Sequence, residues 1–545
     1  MIEKMTGGEA MVRAAAANGM DTMFGLPGVQ TYPLFDAVCQ DPNIREVISR
    51  HEQGAGYMAL GYAQATGKPG VFSVVPGPGL LNAGAALCTA DGVNVPVVCL
   101  TGQVMSEFLG KGRGHLHELR DQQGFLRSII KHVDHIADPT RTSVQINEAF
   151  RQAVSGRPGP ASVEMCWDTM AQTYDIEIGP GIDGPDKPEV DLDAVNDAAK
   201  LVAGAKNILI MCGGGAREAS EEVRELAELL GAAVTSFRGG RGVVAEDHEC
   251  GTSSAAGRLL WDDTDLLIGI GSRLELQYMR WASWDKYIDS TPEGGSKIIR
   301  IDIDPEEMDR LRPDVGIVAD AADGTRALME AIGKTGHNAG DQERIAAAKA
   351  TTSRNIREIQ PQMDYLDMIR GVLPRDGIFI EELCQVGFAS NFGFEIYAPR
   401  TYITTGYQGS LGYGFPTALG VKVGMPDRAV LSIIGDGGFL FGMPELASAV
   451  QQDIGVITVV FNNSSYGNVR RDQQRIYNGR VIGAELENPD IVRLAESFGA
   501  DSWRVDSPES LKPVLERAID NNRPAVIDVT IERGSETSPW KYIVG

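Results

Sequence analysis

Residues 431–468 read LSIIGDGGFLFGMPELASAVQQDIGVITVVFNNSSYGN, and the fold is decided here. LSII and VITVVF are short apolar runs rich in β-branched residues, while the interval between them has helical periodicity, so the stretch is a strand, a turn, an amphipathic helix and a second, parallel strand. The turn is Gly435-Asp436-Gly437-Gly438, and Asn462-Asn463 close the second strand. In parallel sheets ligands collect at the carboxyl ends of the strands. Asp436 and Asn463 each follow a strand end, so two oxygen donors 27 positions apart in sequence are predicted to stand side by side.

Such a pair suits a magnesium-type ion, which takes hard oxygens and completes its octahedron with phosphates. The bare glycines let a diphosphate approach the backbone, and the following helix points its positive end at it. A plain α/β turn satisfies GDG alone, with the asparagines merely ending a strand. GDG and NN at this interval together resemble the thiamine diphosphate motif. The stretch resembles the diphosphate-and-magnesium site of the superfamily of acetolactate synthase, pyruvate decarboxylase and benzaldehyde lyase. That resemblance implies three metal ligands: the Asp436 carboxylate, the Asn463 side chain and the main-chain carbonyl of Ser465.

A chain of 545 residues exceeds what one core supports, and 64 glycines fit an α/β protein with many tight turns. A formal charge of −24 argues against nucleic acid or an anionic membrane as partner, so an anionic cofactor must be held locally by metal and backbone amides. The seven cysteines, at 39, 88, 99, 166, 212, 250 and 384, include no CxxC pair and read as reduced thiols of a cytoplasmic protein. MIEKMTGGEAMVRAAAANG opens as an acidic amphipathic helix without an apolar signal core, and no run has the length of a membrane span.

Three doubly wound parallel-sheet domains of α/β class are expected. The first, 1–170, contains the nearly all-apolar strands GVFSVV and VPVVCL, as in a sheet covered on both faces. A Gly-, Pro- and Asp-rich linker runs from Met170 to Val190. The central domain, 190–333, has strands NILIMCGG, AAVTS, DLLIGIG and KIIRIDID. Polar, alanine-rich sequence connects it to the third domain, 364–545, whose rhythm repeats that of the first. By resemblance these are the pyrimidine-binding, central and diphosphate-binding domains.

Glu52 lies where the strand REVIS turns into the helix GAGYMALGYA. A first-turn acid stabilises a helix dipole, but a carboxyl set against small residues is also partly desolvated, which favours sharing a proton with a ligand. The resemblance supplies that ligand: the family's glutamate hydrogen-bonds the aminopyrimidine of thiamine diphosphate and so promotes loss of the thiazolium C2 proton. It also assigns Pro78 and Asn82, in PGPGLLN, to the pyrimidine side. In the third domain it assigns Gly409 and Leu411, in GYQGSLGYGFP, to the bend of the cofactor, Leu411 being the apolar prop between its rings. Cys384 and Gln385 fall where the family presents backbone and a glutamine to the diphosphate, with Cys384 replacing a common glycine. Gly435, Gly437 and Gly438 complete this set.

Substrate-side signals are looser. Counting back from Ile130-Lys131-His132, the active-site glutamine of relatives falls on His117 or Glu118, and the register leaves both open. Gln30 stands where benzaldehyde lyase has a histidine. The histidine pair of pyruvate decarboxylases is missing from LRDQQ, and the tryptophan of acetolactate synthases would fall near Asp472. Arg470 and Arg471 are available to a substrate carboxylate or phosphate. Gly213-Gly214-Gly215, Gly271-Ser272-Arg273, Asp302 and Asp304 mark the region where relatives bind FAD or ADP, although close packing explains glycines equally well.

The resemblance thus implies a thiamine diphosphate- and magnesium-dependent carboligase or decarboxylase acting on a 2-oxoacid or other carbonyl substrate. A benzaldehyde lyase-like or 2-hydroxyacyl-CoA lyase-like enzyme is the alternative, and a non-catalytic cofactor-binding regulatory subunit is the alternative of another class. A nicotinamide dehydrogenase is disfavoured by the missing GxGxxG. Because the family's glutamate serves cofactor held by another subunit, a homodimer or homotetramer is implied.

Overall fold

The computed structural model describes residues 1–276, 281 and 296–543. The chain does not open on a helix. Ile2–Thr6 is a strand, β1, and Thr6 then caps a helix over Gly7–Ala17 by accepting from the Glu9 amide. The first parallel sheet comprises β2 (Thr22–Gly25), β3 (Arg45–Ile48), β4 (Gly70–Val74), β5 (Val97–Gln103), β6 (His132–His135) and β7 (Ala161–Cys166), in the order β3-β2-β4-β5-β7-β6. Both faces of β4 and β5 are buried, as continuous apolar runs require. The first domain does not end at Met170. A strand β8, Thr173–Glu177, returns to pair antiparallel with β1, so the linker begins beyond it.

The central domain contains β9 (Ile208–Cys212), β10 (Ala233–Ser236), β11 (Gly251–Thr252), β12 (Leu266–Ile270), β13 (Lys297–Asp302) and β14 (Val315–Val318), ordered β11-β10-β9-β12-β13-β14. This is the strand order of dinucleotide-binding sheets, with its reversal between β9 and β12. The glycine turns after those two strands pack on each other: the Gly215 amide donates to the Gly271 carbonyl at 3.1 Å. Packing therefore accounts for the glycines at this crevice. The connection to the third domain includes a helix, Gln342–Asn355.

The third sheet has β15 (Ile378–Glu381), β16 (Tyr402–Ile403), β17 (Val430–Gly435), β18 (Ile457–Asn462), β19 (Asp501–Val505) and β20 (Ala525–Thr530), ordered β16-β15-β17-β18-β20-β19. Numbered within their own domains, the first and third sheets have the same order, 2-1-3-4-6-5, which gives the shared rhythm its structural meaning. The single helix expected between β17 and β18 is broken: Asp436–Gly442 is α-helical, Met443–Glu445 is a 3₁₀ turn, and Leu446–Gln451 resumes. Pro444 lacks the N–H that would continue the ladder.

The first and third domains meet through two helices buried nearly all round, Glu52–Thr66 and Gly414–Gly424. They cross where Gly61 meets the Thr417 carbonyl and Gly420 meets the Met58 carbonyl, positions at which a side chain would overlap backbone. Glu52, the first residue of its helix, is thereby anchored to the body of the third domain.

Candidate active site

At the end of the third sheet, β17 and β18 are neighbours with Gly435 opposite Phe461, so their ends open onto one place. Asp436 is buried, and its Oδ2 accepts a hydrogen bond from Asn488 Nδ2 at 2.6 Å. Burial raises its pKa above the usual carboxylate value, while Asn488 and the Gly437 and Ser465 amides oppose that rise. Asn463 Oδ1 accepts from the Ser465 amide at 3.0 Å and from Ser465 Oγ at 2.9 Å. Ser464 between them adopts φ of 52°, which turns the chain sharply. Asp436, Asn463 and Ser465 thus lie together. Asn462 instead donates to Asp528 Oδ1 at 3.1 Å and belongs to the sheet.

The GYQGSLGYGFP segment is a strap with Gly406, Gly409 and Gly412 at positive φ, and Leu411 is half-buried between the last two. Its fastening was not legible in the sequence. Glu382, fully buried just after β15, accepts from the Gly412 and Gly414 amides, each at 2.7 Å, and so grips the strap on either side of Tyr413. Burial pushes its pKa up to about 8 despite those two donors. Gly437 and Gly438 lie against the Tyr466 ring and the Glu382 carboxylate, so both glycines make room for protein packing as well. Cys384 caps the Gln385–Gly393 helix, its Sγ accepting from the Gly387 amide at 3.3 Å. Buried Gln385 accepts from Arg471 Nη1 at 2.9 Å, whereas Arg470 is paired with Glu485 at 2.9 Å.

In the first domain, Asn82 Nδ2 donates to Glu52 Oε2 at 2.9 Å. Pro78 opens the helix that carries Asn82. The PGPGLLN loop and Glu52 therefore meet. His51 is exposed and caps the Glu52 helix, its Nδ1 accepting from the Gln53 amide at 3.1 Å. Glu445, a further buried acid, accepts from the Arg50 amide at 3.0 and 3.1 Å and from the His51 amide at 2.9 Å. No spacing in the amphipathic stretch that carries Glu445 marks it.

The structure separates His117 from Glu118. His117, with φ of 64°, places Nδ1 2.9 Å from Oε1 of buried Gln30, whose Nε2 donates to the Leu116 carbonyl at 2.8 Å. Glu118 turns into its own loop, accepting from the Gly114 and His115 amides at 2.7 and 3.0 Å, which hold its carboxyl below the usual pKa. The His117 carbonyl packs on Gly77, whose amide donates to Gln122 Oε1 at 3.0 Å. Gln30, His117, the Pro78 loop, Asn82 and Glu52 form one contiguous wall. Asp472 lies on the Gly467–Ile476 helix, beside Arg475 at 3.5 Å.

Three family models cover most of this architecture: the thiamine pyrophosphate enzyme N-terminal TPP binding domain over residues 5–125, the central domain over 195–328 and the C-terminal TPP binding domain over 384–529. The acetolactate synthase large subunit of Corynebacterium glutamicum is 33% identical, over 99% of this chain and 89% of that protein. The chain belongs to the thiamine pyrophosphate enzyme family. Within that family of thiamine diphosphate-dependent enzymes it is also similar to a probable acetolactate synthase large subunit of Methanocaldococcus jannaschii, 34% identical over 97% of this chain and 92% of the relative. A probable 2-ketoarginine decarboxylase of Pseudomonas aeruginosa is 32% identical over 91% of this chain and 88% of its own length. Among the described residues no three His, Cys, Asp or Glu side chains gather as a metal cluster. One carboxylate with a carboxamide and a carbonyl oxygen is a donor set that leaves coordination positions to phosphate and water, and it fits magnesium.

Proposed function

We propose that this thiamine diphosphate-dependent enzyme is a magnesium-dependent carboligase or decarboxylase of 2-oxoacids. It would work in the cytoplasm as a homodimer or homotetramer in which Glu52 of one copy serves the diphosphate site of another. Asp436, Asn463 Oδ1 and the Ser465 carbonyl would hold the cation. Gly435, Gln385 and the backbone at Cys384 would border the diphosphate, and Gly409 and Leu411 would seat the rings. The cofactor, when bound, supplies the carbon nucleophile that adds to a carbonyl and accepts the electrons left by departing carbon dioxide.

The observation that carries this reading is the Asn82–Glu52 hydrogen bond. Asn82 occupies Oε2, which fixes the carboxylate and leaves Oε1 to take up and return a proton. Gln30 orients His117 through Nδ1, leaving Nε2 to exchange a proton with a substrate oxygen. Gln122, tied to the Gly77 amide and to Glu164 at 2.7 Å, keeps the loop between these groups in place. FAD or ADP at the central switch point is not needed for any of these roles.

Product analysis tests the proposal, with purified protein, thiamine diphosphate and magnesium, offering pyruvate alone and then with aldehyde acceptors. Acetolactate would place it with the synthases, and carbon dioxide with an aldehyde or mixed acyloin would place it with decarboxylases and lyases. The Pseudomonas relative adds a second donor panel, 2-oxoacids with cationic tails. No turnover and no exchange of the cofactor's C2 hydrogen would refute the catalytic reading and favour a binding subunit.

A further inference from the structure

The segment after β20 returns across the diphosphate end of the third domain. Glu536 Oε2 accepts from Asn463 Nδ2 at 2.7 Å. Arg533 Nη2 donates to the Ser464 carbonyl at 2.9 Å and its Nε to the Asn463 carbonyl at 3.4 Å. Trp540 Nε1 donates to Asn468 Oδ1 at 2.8 Å, and its ring lies 5.1 Å from that of Phe388. Between these contacts, the Thr537 amide donates to the Gln360 carbonyl at 2.9 Å, and Gln362 Nε2 to the Thr537 carbonyl at 2.6 Å. Tyr542 Oη donates to the Asn355 carbonyl at 2.8 Å. The segment is fastened to the 463–468 loop at one side and to the interdomain connection at the other.

A carboxamide has two faces, and its neighbours decide which one a ligand meets. Glu536 Oε2 accepts from the amino group of Asn463 and so takes that face of the carboxamide. Oδ1 must then point the opposite way, toward Ser465 and the position proposed for the cation. We propose that Glu536 is a positioning residue that turns the oxygen of Asn463 to the metal. This rests on the magnesium site proposed above. Partners of metal ligands of this kind are worth about 10- to 100-fold in metal affinity.

The test uses the full-length protein with thiamine diphosphate and Mn²⁺ as the probe, free Mn²⁺ being read by electron paramagnetic resonance. E536A should weaken Mn²⁺ binding about 10- to 100-fold. E536Q, which keeps an acceptor oxygen, should bind close to wild type. In an N463A background E536A should add nothing further. Wild-type affinity in E536A overturns the inference, as does an additive effect in N463A. Equal weakening by E536Q and E536A overturns it too, since the negative charge beside Arg471 and Asp436 would then be what matters. Should E536A not fold, E536Q decides alone: tight binding supports the role, and weak binding removes it. Wild-type protein that ignores Mn²⁺ would take down the metal-site reading as well. Tight wild-type binding weakened by N463A but not by E536A would sink only the role of Glu536.

Discussion

Glu445→Ala should damage both stability and turnover, although residue 445 lies outside the proposed ligand set. The carboxylate reaches across the domain boundary to the Arg50 and His51 amides and also accepts from Ser448 Oγ at 2.9 Å. Alanine leaves two backbone donors at the start of the Glu52 helix without an acceptor. An unsatisfied donor that is fully buried costs about 1–3 kcal/mol; these two amides belong to exposed residues that water can reach, so the variant should lose about 2 kcal/mol, the lower end for two donors. The backbone just before Glu52 would then be free to shift, and a misplacement of about 1 Å is worth about 100-fold in rate. Urea unfolding followed by intrinsic fluorescence gives the first quantity. Steady-state kinetics at saturating cofactor gives the second and should show a fall in kcat. A variant with the wild-type unfolding midpoint and wild-type kcat would refute the idea that Glu445 anchors this helix.

Three further outcomes are expected. Glu52→Gln should still bind thiamine diphosphate but slow deuterium exchange at its C2 by about 10²–10⁴-fold, read by proton NMR after acid quench; unchanged exchange would remove Glu52 as proton carrier. His117→Ala should lower turnover by about 10²-fold or more, and Glu118→Ala, which loosens only its own loop, should cost far less; the reverse ranking would show that the wrong neighbour was chosen. Glu382 has its folded pKa raised from 4.5 to about 8, so the folded state binds the extra proton and stability should fall as pH rises through that interval. At about 1.4 kcal/mol per unit this is a loss of up to about 5 kcal/mol, absent from Glu382→Gln; parallel melting-temperature profiles of the two proteins from pH 5 to 8.5 would count against it.

The strands that build the sheets were readable because most are short apolar runs between glycine and proline turns, and GDG with NN marked the ends of β17 and β18 as the candidate site. Two structural details escaped for local reasons. Ile2–Thr6 has adjacent Glu3 and Lys4 between apolar residues three apart, a spacing that passes for a helix start, and only pairing with the distant β8 makes it a strand. Pro444 sits in an otherwise helical pattern, where the break is a matter of one missing donor. At the site, Asp436 and Asn463 follow the neighbouring strands β17 and β18, whereas Glu52 and Asn82 follow β3 and β4 on either side of β2 and meet through the helices those strands lead into. Glu382, Glu445, Asn488 and Glu536 did not announce themselves. Each is a single polar residue whose partners lie far away in sequence or belong to backbone amides, and no spacing rule encodes such a contact. His117 and Glu118 could be told apart only by a backbone angle, since left-handed φ at His117 sends consecutive side chains in different directions.

The crossing of the Glu52–Thr66 and Gly414–Gly424 helices also bears on how the chain is made. The first helix leaves the ribosome roughly 350 residues before its partner, which at about 5–20 residues per second is a delay of about 20–70 s. Throughout that time a glycine- and alanine-lined apolar face waits uncovered on a nascent first domain. Slower translation of the central domain would lengthen the wait, and a chaperone that holds apolar segments would find its substrate there before the second helix emerges.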